Sequence, residues 1–267
     1  MKSLIATAIL LASGSAIAHD TSFSADSCDV DLSAGITINQ SDLTFTRGDE
    51  ELYKIVANKH LIIDGESLDL SPSQQQIVSQ YSQDIRAVVP EVKDLALEAI
   101  DLASEGVNLA FNELLGEGND VAAELTEHLS AIKHDIDVEL DLTKEISIDE
   151  HGNFGDGTFG DDFEQRIEQA VESTIKNSMG TLLIAIGQEM LFSGGDTEAI
   201  ETRMESFGEQ IEQQMEERGQ AIEAKAEALC HSVVGIDVLE EAMKLEIEAL
   251  QNIDVLSTSK KSDAHSI

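Results

Sequence analysis

Hydrophobic positions along the chain change period more than once, and each change marks a different kind of element. Between Gly35 and Leu70 the apolar residues fall in short β-rich runs: Ile36–Ile38, Leu43–Thr46, Leu52–Val56 and His60–Asp64. Turn residues separate them (Asn39-Gln40-Ser41-Asp42, Arg47-Gly48-Asp49 and Asn58-Lys59), a spacing that predicts a small antiparallel meander over 35–70. From Ser71 the period lengthens. Ser71 is placed to cap a helix, with Pro72 in the first turn and Gln74 completing a capping box. Ile77, Tyr81, Ile85, Val88, Val92 and Leu95 then recur at steps of three and four, one face of a long helix. The pattern runs on to Leu115 and stops at Gly116-Glu117-Gly118. Pro90 lies inside it and is expected to kink or divide the helix, because it removes a donor and crowds the preceding turn.

A further helix is predicted from Val121 to Ile136. Val138, Leu140, Leu142, Ile146 and Ile148 then alternate, which predicts a strand near 138–148. A Gly- and Asp-rich loop, 151–162, leads to a helix capped by Asp161 or Asp162. The stretch Thr181–Phe192 is apolar almost all round and is expected at the centre of the core. After Ser193-Gly194-Gly195, Ile200, Ile211, Ile222 and Val233 are equivalent in an eleven-residue repeat, the mark of a long, nearly straight helix. Arg218 breaks that stripe, at an exposed end or a buried pairing. A short helix from Ile236 to about Ile253 and a disordered polar tail at 257–267 are expected to close the chain, and residues 19–34 are expected to be loose except at Cys28. The pattern as a whole predicts an α+β fold. A single domain over 19–256 packs a small N-terminal antiparallel β-meander on long amphipathic, partly coiled-coil-like helices.

The first eighteen residues change this picture. Lys2 supplies a positive start, Leu4–Ala12 a short apolar core, and Ala16-Ile17-Ala18 a small-residue cleavage site, so residues 1–18 are expected to be a removed signal peptide. The apolar run is shorter than the ~20 residues needed to span a bilayer, and no later run reaches that length, so no transmembrane segment is expected after signal removal. Formal net charge is −37, from 53 acids against 16 bases, and the acids are spread along the chain. Such a surface repels phosphate backbones, which argues against a nucleic-acid partner, and it favours solubility. Two cysteines, Cys28 and Cys230, leave one intramolecular disulfide or a pair of free thiols.

Motifs add little chemistry. Gly155–Gly160 matches G-x-G-x-x-G, but Asp156, Asp161, Asp162 and Glu164 crowd the place where phosphates would sit, and no further βαβ unit follows. The same loop offers calcium oxygens at Asp149, Asn153, Asp156, Asp161 and Asp162. Against the EF-hand pattern, however, His151, Phe154 and Gly160 stand at required positions. His128 and His134 lie six apart and do not share a helix face. The chain past residue 18 has no H-E-x-x-H and no G-x-S-x-G, so neither a zinc protease nor a nucleophile elbow is indicated, and no cofactor is predicted.

An early cysteine (Cys28), a β-meander ending in the run Leu61–Val92 (LIIDGESLDLSPSQQQIVSQYSQDIRAVVPEV), and a late cysteine in Leu229–Val234 (LCHSVV) stand in this order. In these features the chain resembles the YggN-like family of gammaproteobacterial periplasmic proteins, whose function is uncharacterised. That resemblance implies a periplasmic location and a Cys28–Cys230 disulfide, and it brings no catalytic residues. The leading functional expectation is a non-enzymatic envelope interaction, scaffolding or chaperone-like module with an envelope protein partner. The alternatives are a carboxylate-dependent hydrolase of an envelope polymer and a calcium-dependent binding module.

Overall fold

The computed structural model describes residues 22–24, 28–150, 172, 176, 180 and 197–260. Strands come first: β1 (Ser22–Ser24), β2 (Cys28–Leu32), β3 (Gly35–Ile38), β4 (Asp42–Arg47), β5 (Glu50–Val56), β6 (His60–Ile63) and β7 (Glu66–Ser67). Helices α1 (Pro72–Leu115) and α2 (Asp120–Glu139) follow, then β8 (Ile146–Ile148). Helix α3 (Thr197–Glu246), a 3-10 turn at Glu248–Leu250 and strand β9 (Leu256–Lys260) complete the described elements.

The larger sheet is antiparallel throughout, in the order β7-β6-β5-β4-β3-β8. Alternation puts its apolar residues in two cross-strand rows. One row runs Ile148, Ile36, Phe45, Tyr53; the other runs Ile146, Ile38, Leu43, Ile55, Leu61. Phe45 stacks on Tyr53 with ring centroids 4.3 Å apart, and Phe45, Leu43, Ile55 and Leu61 are fully buried. Burial on this scale stabilises by roughly 1.5–3 kcal/mol per large apolar side chain. The start of α1 covers these rows with Val78, Tyr81, Ile85 and Val89. Arg86 fixes the helix to the sheet's turns, donating to the Asn39 carbonyl at 2.5 Å and to Asn58 Oδ1 at 3.1 Å.

A second sheet, β1-β2-β9, joins the two ends of the chain, pairing Leu32 with Leu256 and Val30 with Thr258. The last turns of α3 hold this strand in place. Asp237 accepts from the Thr258 N–H (3.0 Å) and hydroxyl (2.5 Å), and Lys244 pairs with Asp254 at 2.6 Å. Its pairs with Asp254 and Glu241 raise the Lys244 pKa, outweighing the partial burial that alone would lower it.

Beyond this head the helices form an arm. At 44 and 50 residues, α1 and α3 are about 66 and 75 Å long. They run antiparallel: Glu91 meets Ser232, Glu98 meets Lys225 and Glu105 meets Arg218, at steps of seven residues along each helix. Helix α2 returns along α1 through the pairs Lys133–Asp101 (2.5 Å) and Lys93–Asp137 (2.7 Å). Lys93 also holds the Asp137 carboxyl below the usual carboxylate range. Asn119 knits the turn, accepting from the Ala122 N–H and donating to the Phe111 and Gly116 carbonyls.

The predicted α+β class and the meander strands are those observed, and the Ser71–Gln74 capping box is formed in both directions. Several boundaries differ. Pro90 does not divide α1, which continues for 25 residues past it because packing on both sides holds the turn that a free helix would lose. Val138 belongs to α2, not to a strand. Ile132 and Ile136 pack on Ala96, Leu97 and Ile100, and this contact carries the helix to Glu139, leaving only Ile146–Ile148 extended. The segment 236–253 is no separate helix; α3 runs unbroken to Glu246. Residues 28–32, expected to be loose, and 257–260, expected in a disordered tail, belong to strands β2 and β9 because each supplies the other's hydrogen bonds. The expected signal peptide, the 151–162 loop and the 181–192 segment lie outside the described residues.

Gly35 stands in the larger sheet where there is no room for a side chain. A Cβ there would stand 2.9 Å from Thr46 Oγ1, 3.0 Å from the Ile148 carbonyl and 3.2 Å from Asp149 Cα. Two of these are backbone, so β8 must move. Gly35→Ala should lower stability by about 1–3 kcal/mol in urea denaturation. An unchanged midpoint would show that β8 is not tied to β3 in solution.

Candidate functional site

The sheet rows and the helices do not close completely on each other. Between β3 and β8 on one side and α1 and the end of α3 on the other lies a half-enclosed cavity of about 200 Å³. Ile36, Ile148, Val88, Val92, Leu140 and Val233 form much of its wall. Each comes from an alternating strand or a helical stripe, so the periodicity that builds the core also builds the cavity. Tyr81 is the only lining residue with a polar side chain, and no acid lines the cavity among the described residues.

Behind Tyr81 is a buried carboxyl. Glu240 is 2% exposed, on α3. Its Oε1 accepts from the Val255 N–H at 2.7 Å, and its Oε2 accepts from the Leu256 N–H at 3.2 Å and the Tyr81 hydroxyl at 3.1 Å. The Tyr53 hydroxyl lies 3.3 Å from that of Tyr81 and extends the chain. Burial raises the Glu240 pKa to about 7, outweighing the hydrogen bonds from Val255 and Tyr81 that favour the carboxylate. Burial also pushes both tyrosines well above their ordinary value. Hydroxyl hydrogens can reorient, so a protonated Glu240 can donate to Tyr81 and Tyr81 in turn to Tyr53. The cavity is suited to hydrocarbon, and the polar groups beside it are already satisfied by one another.

Sequence reasoning placed Tyr81 on a helix stripe but did not single out Glu240 among 53 acids. The signal was present: Val233, Ile236, Glu240, Met243 and Ile247 continue the steps of three and four, so an acid occupies a core position of α3. Of the calcium candidates only Asp149 is described, just past β8; Asn153, Asp156, Asp161 and Asp162 lie outside the described residues. No cluster of three potential metal ligands occurs among the described residues. Cys230 is buried on α3, Cys28 opens β2, and no cysteine among the described residues is free. No helix among the described residues is long and apolar enough to cross a membrane.

A folded pKa of about 7 against an ordinary glutamate value of 4.5 means that the folded state prefers protonated Glu240. Its contribution is fully present below pH ~4.5 and is lost as pH rises through ~7, a change of order 3 kcal/mol. Urea titrations from pH 4.5 to 8 should show this fall in the wild type and a flatter profile in Glu240→Gln, whose amide can still accept from Val255 and donate to Tyr81. Glu240→Ala should cost about 2–4 kcal/mol, from the vacated space and the stranded donors. Parallel pH profiles for wild type and Glu240→Gln would refute the assignment.

No curated protein and no solved structure matches the chain. One family model does, over residues 28–256, a span that starts with the first residue of β2 and ends on its cross-strand neighbourhood in β9. It takes in both cysteines, the meander, the cavity and Glu240. On that match the chain belongs to DUF2884, a family of proteins of unknown function.

Proposed function

We propose that the chain is exported to the periplasm, loses residues 1–18, and works there as a non-enzymatic interaction module that uses its helical arm as the contact surface. The observation that carries this reading is the thin burial of the arm. Past Pro90 no described side chain of α1 is fully buried, and in α3 none with a described side chain is before Leu229. Ile211, Met215 and Ile222 form a half-buried apolar stripe, with exposed Glu212, Glu216 and Glu223 beside it. An apolar seam between acidic faces suits a partly unfolded polypeptide of positive charge, and seven-residue pairing along α1 and α3 supports coiled-coil-like packing.

The address rests on the N-terminal pattern and on the resemblance to periplasmic proteins. The proposed Cys28–Cys230 disulfide fits it. Cys230 is buried in the same core cluster as Val30 of β2, and a loop of this length could add up to about 5 kcal/mol by restricting the unfolded chain. Mass spectrometry of the protein secreted to the periplasm should find residue 19 first and the two thiols oxidised together. Recovery of an uncleaved, reduced chain would reverse the address.

For the activity, the mature protein should suppress aggregation of a reduced basic protein more strongly than that of an acidic one. The Ile211→Asp, Ile222→Asp double variant should lose the effect while the head keeps its melting temperature. A mature protein that suppresses neither aggregation has no such function.

A further inference from the structure

The cavity between the larger sheet and α1 lies in the head, away from the arm's stripe, and asks for a ligand of different chemistry. At about 200 Å³ it exceeds the ~150 Å³ at which an apolar protein cavity already takes up benzene. Apart from Tyr81 its wall is Val, Ile and Leu side chains. The Tyr81 hydroxyl is held by Glu240 and Tyr53, so the wall offers a ligand no side-chain donor that is not already engaged. A polar ligand would lose its hydration here for nothing in return. Hydrocarbon loses only its contact with water.

Charge selects the rest of the molecule. In sequence the lining residues are flanked by acids: Asp29 and Asp31 about Val30, Glu91 before Val92, Glu139 and Asp141 about Leu140, and Asp149 after Ile148. The lysines nearby are engaged, Lys93 by Asp137 and Lys144 by the Val138 carbonyl. With a net charge of −37 on the chain, an anionic headgroup is repelled from this rim and a cationic one is drawn to it. We propose that the cavity binds the alkyl chain of a cationic amphiphile, with the tail between β3, β8 and α1 and the headgroup at the acidic rim.

The test uses the full mature chain and a neutral naphthylamine fluorophore that brightens in apolar surroundings. Wild type should take up the fluorophore. Dodecyltrimethylammonium, below its micelle concentration, should displace it at about tenfold lower concentration than dodecyl sulfate in low salt, and the gap should narrow as salt is added. Val88→Phe or Val92→Phe fills the space and should weaken uptake about tenfold or more, with helix content and melting temperature retained. Equal displacement by both detergents would overturn the cationic preference. Uptake unchanged in a folded Val88→Phe or Val92→Phe would overturn the site. Absence of uptake by wild type would also overturn it.

Discussion

Taking a carboxyl group out of water costs several kcal/mol unless the protein supplies donors in place of the lost hydration. Glu240 is such a group, and its donors come from two other parts of the chain: the Val255 and Leu256 N–H groups before and at the start of β9, and the Tyr81 hydroxyl on α1. Satisfying it therefore requires that α1, α3 and β9 be docked at once. Docking β9 in turn supplies the partner for β2, which among the described residues has no other strand to pair with except the three-residue β1. Asp237 and Lys244, on the turns before and after Glu240, tighten the same segment. The core of the head is thus fixed by a polar contact. The apolar rows of the sheet would accept a helix in several positions; Glu240 accepts one.

The arm follows a different logic. Its helices meet over a small apolar cluster, Ile132 and Ile136 against Ala96, Leu97 and Ile100, and through ion pairs, of which the exposed ones contribute only about 0.2–1 kcal/mol each. What they fix is register. Glu98–Lys225 and Glu105–Arg218 recur seven residues apart on both helices, so a slide by one turn would break both. An arm built this way holds its alignment without burying its apolar stripe deeply. That combination suits a surface which must meet another molecule and still stay soluble alone.

How far the sequence disclosed this depended on how local each feature is. The meander, the capping box and the stop at Gly116 are read from neighbouring residues, and they were legible. Arg218 was legible as a break in a stripe, but it is neither an exposed end nor a buried pairing: it pairs with Glu105 at the exposed surface in mid-helix. The strands at 28–32 and 256–260 were not, because each is short, half polar, and stable only against a partner at the opposite end of the chain. The continuation of α1 through Pro90 was hidden for a related reason: a local penalty of about 3 kcal/mol is outweighed by contacts that the sequence does not order. The cavity left no sequence signal at all, since its lining residues obey the same periods as a filled core. Glu240 did leave one, an acid in a core register, but 53 acids made it easy to pass over.

Where the bases stand explains how so acidic a chain can fold. Of its 16 basic residues, many of the described ones lie at seams between elements and not on outer faces. Lys225 and Arg218 join α3 to α1, Lys133 and Lys93 join α2 to α1, Lys244 joins α3 to the approach of β9, Lys54 bridges β5 and β4, and Arg86 binds α1 to the sheet's turns. Each base faces an acid or a carbonyl at a junction, where like charges would otherwise meet at short range. The outer faces are left to carboxylates, which are separated by water and screened by salt over about 8–10 Å. Repulsion among them opposes compaction only weakly, yet it acts on every other acidic surface the protein meets. Few cations at the joints and many anions outside make one charge pattern serve both cohesion within the fold and selectivity outside it.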